Sequence, residues 1–134
     1  REGEVAINHI VGGSDDRMRY DSVPAVVYMH PEIAGVGATE EKLRAEGRYY
    51  RVLKLPMAYA GRYVVENEQT SGLCKVLVDE NDTILGCHIL GNPASELILL
   101  AGIAVTDRSS IEDFRRHIFP HPTAGEILHE VLFS

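Results

Sequence analysis

The chain has 134 residues, 45% of them hydrophobic and 25% charged, the size and balance of one domain with a packed core. Its formal net charge is −7 with Lys and Arg scattered, which argues against a nucleic-acid partner, since phosphate binding needs a basic stripe. The longest apolar run, Leu97 to Val105, is far too short to span a bilayer, so no membrane partner is expected.

Arg1-Glu2-Gly3-Glu4 reads as the end of a helix that starts elsewhere, and the β-rich run Val5 to Val11 as a short strand. Gly12-Gly13-Ser14-Asp15-Asp16 is a turn or linker. Val23 to Tyr28 predicts a strand, with Pro24 near its start where a missing N–H is tolerated. Thr39 to Gly47 predicts a short helix: Thr39 can cap it, Glu40 and Glu41 suit its positive first turn, and Gly47 ends it. Tyr49 to Leu55 alternates like a strand and stops at Pro56, and Glu66 to Gly72 is a polar loop.

The clearest signal is a hairpin of Leu73 to Asp79 and Ile84 to Leu90 around Glu80-Asn81-Asp82-Thr83. With Asp79 opposite Ile84, Cys74, Val76 and Val78 share an apolar face with Leu85, Cys87 and Ile89, and helix must cover that face. Lys75, Asp79 and His88 lie on the other. Cys74 and Cys87 are then diagonal, which disfavours a disulfide, and two reduced thiols suit a cytoplasmic setting. Ala94 to Thr106, Ser110 to His117 and Thr123 to Leu132 predict three helices. Strands early and helices late imply an α+β fold, an antiparallel β-sheet flanked by helices.

Two motifs fail. Gly35-Val36-Gly37-Ala38-Thr39-Glu40 opens like a dinucleotide loop, but it lacks the third Gly and an acid about 20 residues on. It reads as a turn. Glu126 and His129 make one Glu-x-x-His, where a carboxylate-bridged metal pair needs two, so no metal site is expected.

Phe119-Pro120-His121-Pro122-Thr123-Ala124-Gly125-Glu126 is the informative stretch. Taken alone, Thr123 and Glu126 are a capping box with Pro122 stiffening its entry, and His121 is a surface residue. The stretch also resembles the His-Pro-Thr-x-x-Glu motif near the end of flavoprotein disulfide reductases, matching at His121, Pro122, Thr123 and Glu126. Val23 to Tyr28, His30-Pro31-Glu32, Val36 to Glu41, Gly61-Arg62, the hairpin and Ala94 to Ile98 resemble the same family's C-terminal dimerisation domain in the same order. The likeness covers Glu2 to Glu130. It is strongest to the dihydrolipoamide dehydrogenases, ahead of glutathione and mercuric reductases. Pro120 and Ala124-Gly125 depart from the family's usual Ala and Leu-Ser.

The resemblance implies a division of the chain. Residues 1–20 would end a preceding flavin-domain segment with its linker, and 21–134 would be the dimerisation domain. It implies a homodimer in which His121, as general acid/base, and Glu126, as its orienter, complete the partner's flavin-disulfide site. Pro122 would lie near the partner's flavin, and His121-Pro122 would be cis. FAD and NAD would belong to the full-length enzyme and not to this fragment, which alone would be inactive. Its macromolecular partner would be the lipoyl domain of a 2-oxo acid dehydrogenase complex. The rival readings are another disulfide reductase, or an assembly module in which the motif is only a cap. Of the other histidines, His88 reads as packed, and His9, His30, His117 and His129 as surface or loop residues. Tyr49, Tyr50, Tyr59 and Tyr63 read as core or interface packing.

Overall fold

The computed structural model describes residues 1–68 and 71–134; part of the expected polar loop, residues 69–70, lies outside the described residues. Five strands form one antiparallel sheet: β1 (Ala25–Val27), β2 (Ile33–Gly37), β3 (Arg51–Pro56), β4 (Leu73–Val78) and β5 (Ile84–Leu90), in the order β1-β2-β5-β4-β3. The α+β architecture expected from the sequence is what the chain forms.

The hairpin of β4 and β5 is the centre of the sheet because both of its strands bury one continuous side. Cys74 pairs with Ile89 and Val76 with Cys87, the register expected from the sequence. A bulge between Leu77 and Val78 then shifts the ladder, so that Val78 faces Ile84. Ile84, not Leu85, therefore turns into the core, and Leu85 is left half-buried. Cys74 and Cys87 are diagonal, fully buried and free.

Helix α4 (Ala94–Thr106) lies on the core face against β5 and β2, contributing Ala94, Leu97, Ile98, Ala101, Ala104 and Val105. The C-terminal segment completes this layer with Ile127, Leu128, Val131 and Leu132. On the opposite face, α2 (Glu40–Ala45) is capped by Thr39, whose hydroxyl accepts from the Lys42 N–H at 3.2 Å. It sets Glu40 2.9 Å from Lys75 of β4, and Leu43 and Leu77 are buried on this side, outside the main cluster.

Several expectations are corrected. Val5 to Val11 is not a strand: α1 (Glu2–Ile10) carries it, with Glu2 and Glu4 in the first turn and His9 in the last, matching the helix dipole. No residue of α1 is buried; without a neighbouring strand, the local i→i−4 bonds win over β-branched composition. Gly35-Val36-Gly37 is not a turn but β2, with Ala34 and Val36 buried by strict alternation. Gly37 has φ 79°, and a Cβ there would stand 2.3 Å from the Leu85 carbonyl, so only glycine fits this crossing. Gly61-Arg62 opens a helix, α3 (Gly61–Glu66), that buries Tyr63. The expected single helix over 123–132 is broken into a 3₁₀ turn (Ala124–Glu126), α6 (Ile127–Glu130) and a second 3₁₀ turn (Val131–Phe133).

Candidate active site

The motif sits in the connection between α5 (Ile111–Arg115) and the C-terminal segment. Ser110 starts α5 with a reciprocal box: the Asp113 N–H donates to the Ser110 hydroxyl (3.1 Å) and the Ser110 N–H donates to the Asp113 carboxylate (3.3 Å). Phe114 then drops into the core, and the chain leaves the helix toward Phe119 and His121.

Local contacts hold the stretch from Pro120 to Glu126 in place. His121–Pro122 is cis, as the resemblance implied. The Thr123 hydroxyl donates to the Pro120 carbonyl at 2.8 Å, closing the loop. The Thr123 N–H donates to Glu126 Oε2 at 2.8 Å, one half of the box that starts the following turn. The other carboxylate oxygen, Oε1, lies 2.7 Å from His121 Nδ1. The bland and catalytic readings of Glu126 are thus compatible, because one carboxylate serves the backbone with one oxygen and the imidazole with the other.

Electrostatics fix the tautomer. The Thr123 N–H, first, and the His121 ring, second, hold the Glu126 carboxyl below its ordinary value. An ionised carboxylate only accepts, so Nδ1 must carry the proton and Nε2 is left as the base. The His121 side chain is 81% exposed while that of Glu126 is 20% exposed. A half-buried anchor therefore presents a solvent-facing base. The two thiols of this chain are buried in the sheet, so any thiol that His121 serves must come from outside it.

The remaining histidines divide. His88 is half-buried across from Lys75, its Nδ1 unpaired and its basicity lowered by burial and then by Lys75. His30, read as a surface or loop residue, has Asn92 Nδ2 at 3.3 Å from its Nδ1. His9 is exposed on α1, and His117 packs on Phe114 at 5.7 Å. His129 is not a plain surface residue: it lies 5.5 Å from the ring of Phe119 and 5.0 Å from that of Phe133. Of the tyrosines, only Tyr63 is buried; Tyr50 is half-buried against Glu40 and Arg44, and Tyr49 and Tyr59 are exposed. The sequence reading missed the Phe119–His129 contact, and its signal was an aromatic two residues before His121 together with a His three after Glu126.

Among the described residues, no three His, Cys, Asp or Glu side chains converge as metal ligands. Nor is there a cradle for a dinucleotide phosphate here, because the Gly35-x-Gly37 segment is packed as strand against Leu85 and Gly86. Among the described residues no helix is long and apolar enough to cross a membrane.

Comparison with known proteins gives the family. The sequence pattern of the "Pyridine nucleotide-disulphide oxidoreductase, dimerisation domain" matches residues 23–132. The chain is 45% identical to dihydrolipoyl dehydrogenase 1, mitochondrial, of Arabidopsis thaliana, over 99% of this chain and 26% of that protein. It is 39% identical to dihydrolipoyl dehydrogenase 3 of Pseudomonas putida (97% and 28%) and 39% identical to the human mitochondrial dihydrolipoyl dehydrogenase (96% and 25%). Among solved structures, LpdA of Mycobacterium tuberculosis superposes with a TM-score of 0.90 at 25% identity, covering 98% of this chain and 29% of that one. The HOCl-induced flavoprotein disulfide reductase RclA of Escherichia coli superposes with a TM-score of 0.82 at 28% identity, covering 97% and 30%. The chain thus spans about a quarter of the length of its curated relatives. It belongs to the pyridine nucleotide-disulphide oxidoreductases and forms their dimerisation domain, of the kind found in dihydrolipoyl dehydrogenases.

Proposed function

We propose that this domain pairs two copies of a full-length dihydrolipoyl dehydrogenase, and that His121 with Glu126 supplies the acid/base pair of the partner subunit's disulfide site. The observation that carries this reading is the His121 Nδ1–Glu126 Oε1 contact of 2.7 Å on a loop that leaves the ring open to solvent. A dithiol with a thiol pKa of roughly 8.5 must lose a proton before it attacks a disulfide, since the thiolate is the nucleophile. His121 Nε2 takes that proton. Glu126 holds the ring in the tautomer that leaves Nε2 free and stabilises the imidazolium that results. The proton then returns from Nε2 to the leaving sulfur.

The overall reaction in this proposal is NAD-linked oxidation of dihydrolipoamide. FAD and NAD, held by parts of the full-length enzyme outside this chain, accept the electrons. Pro122, exposed beside His121, would face the partner's flavin. Residues 1–20 would close the preceding flavin domain, and the macromolecular substrate would be the lipoyl domain of a 2-oxo acid dehydrogenase complex. A cytoplasmic setting belongs to the same proposal and is supported by the two unpaired thiols, although several relatives are named as mitochondrial.

The test is His121→Gln in the full-length protein. Dihydrolipoamide oxidation should fall by about 10²–10⁴-fold, the usual worth of a positioned acid/base, with the dimer intact by light scattering. Unchanged turnover would reduce the motif to a helix cap. The chain by itself should show no dehydrogenase turnover.

A further inference from the structure

A ring of aromatic contacts surrounds the base of the His121 loop. Phe119, two residues before His121, has its ring 5.7 Å from Phe114 of α5 and 5.5 Å from His129 of α6, tilted 56° and 49°. His129 continues to Phe133 at 5.0 Å, and the guanidinium of Arg115 lies 3.9 Å over the Phe133 ring. Arg115 follows Phe114 in α5 and also donates to the Leu132 carbonyl, so the circuit closes on itself. Such pairs, tilted with centroids 5–6 Å apart, are attractive beyond their buried area. The cation over Phe133 adds to the circuit.

This circuit joins the two segments that carry His121 and Glu126. Phe119 belongs to the strand of chain that carries His121, and His129 stands one turn beyond Glu126 on the segment that carries the carboxylate. We propose that His129 and Phe119 are positioning residues, a ring-on-ring clamp that locks the His121 loop at hydrogen-bond distance from Glu126 and so serves the thiol half of the reaction. The proposal rests on the acid/base reading of His121. His129 also has a carboxylate beside it, with Nδ1 3.6 Å from Glu130 Oε1. Its flat ring against Phe119, and not its charge, is what the clamp needs. An aromatic replacement should therefore serve as well.

The experiment uses the full-length flavoprotein with variants Phe119→Ala, His129→Leu, His129→Phe and, as reference, His121→Gln. Two activities are read: dihydrolipoamide oxidation, which needs the thiol chemistry, and NADH-driven reduction of ferricyanide, which does not. Phe119→Ala and His129→Leu should each lower dihydrolipoamide kcat by about tenfold or more, as small misplacements of a catalytic group do. Their KM for NAD and their ferricyanide activity should match the parent, and His129→Phe should keep parental activity in both assays. If Phe119→Ala fails to fold, the His129→Leu and His129→Phe pair decides alone. Parental dihydrolipoamide oxidation in His129→Leu, an equal loss of both activities in it, or no recovery in His129→Phe each overturns the clamp. If His121→Gln itself retains turnover, the acid/base reading has failed. If His121→Gln collapses while His129→Leu does not, only the clamp has failed.

Discussion

The two oxygens of the Glu126 carboxylate are divided between a backbone N–H and an imidazole, and that division makes different substitutions separable. Glu126→Gln keeps its one carbonyl oxygen for the Thr123 N–H and turns its NH2 group toward His121 Nδ1. The tautomer is then no longer enforced and no anion faces the imidazolium. Dihydrolipoamide oxidation in the full-length protein should fall by about 10²-fold while the thermal midpoint barely moves. Glu126→Ala should lose turnover and also lower the midpoint, because the turn that begins at Ala124 loses its box. A Glu126→Gln protein with parental turnover would show that the carboxylate only caps. Since the Glu126 carboxyl is held below its ordinary value, its contribution is fully present near neutrality and is lost only as pH falls through the carboxylate range.

At the scale of elements, α2 is tied to the far side of the sheet by one charged contact. Lys75, first, and Arg44 and Tyr50 beside it hold the Glu40 carboxyl down at about 2, from an ordinary 4.5. A depressed carboxyl stabilises the fold above its unfolded value, and the stabilisation drains away as pH falls from 4.5 toward 2. Lys75→Met should therefore be less stable than the parent at pH 7, with the difference shrinking to nothing near pH 2 in urea titrations at each pH. A constant difference would mean that lost packing of the lysine stem is responsible. Gly125 offers a gain instead: a Cβ there would meet Leu97 and Leu100 at 3.7 and 3.8 Å, ordinary contact. Gly125→Ala should stabilise by about 0.4–1 kcal/mol by restricting the unfolded chain, and a lower urea midpoint would refute this. These elements also show what the sequence could reveal. The hairpin, α4 and the Thr39 cap were legible because alternation, apolar runs and capping residues act locally. The bulge that sends Ile84 inward was not, because the shift is visible only when β4 and β5 pair. The helical state of Val5 to Ile10 was not, because β-branched residues become strand only where another strand is available. His121 and Glu126 were legible as a motif, whereas the clamp of Phe119 on His129 depends on how α6 returns past α5, which no spacing rule contains.

On the scale of the whole molecule, α4 is buried on one side and strikingly bare on the other, where Leu99 and Ile103 are 62% and 51% exposed, one turn apart. Leu100, on the same side, and Ile118, 97% exposed, extend this apolar surface toward the His121 loop. Such a surface on a domain whose family pairs its chains suits a seam between copies, and its apolar residues reach the His121 loop at Ile118. If the base acts across the seam, each active site draws its disulfide from one chain and its His121 from the other. A His121→Gln chain and a chain inactivated at its redox disulfide are then each dead as homodimers. Mixed through co-expression, half of the dimers pair one of each, and one of the two sites in each such dimer holds an intact disulfide facing an intact His121. Turnover should recover to about a quarter of the parent in a statistical mixture, as two-fold symmetry requires. If His121 served its own chain, no site in any of the three dimers would be complete and the mixture would stay inactive. Adding Leu99→Glu to both chains separates assembly from chemistry: recovery should disappear along with the dimer in light scattering, because a carboxylate cannot be buried unpaired in an apolar seam.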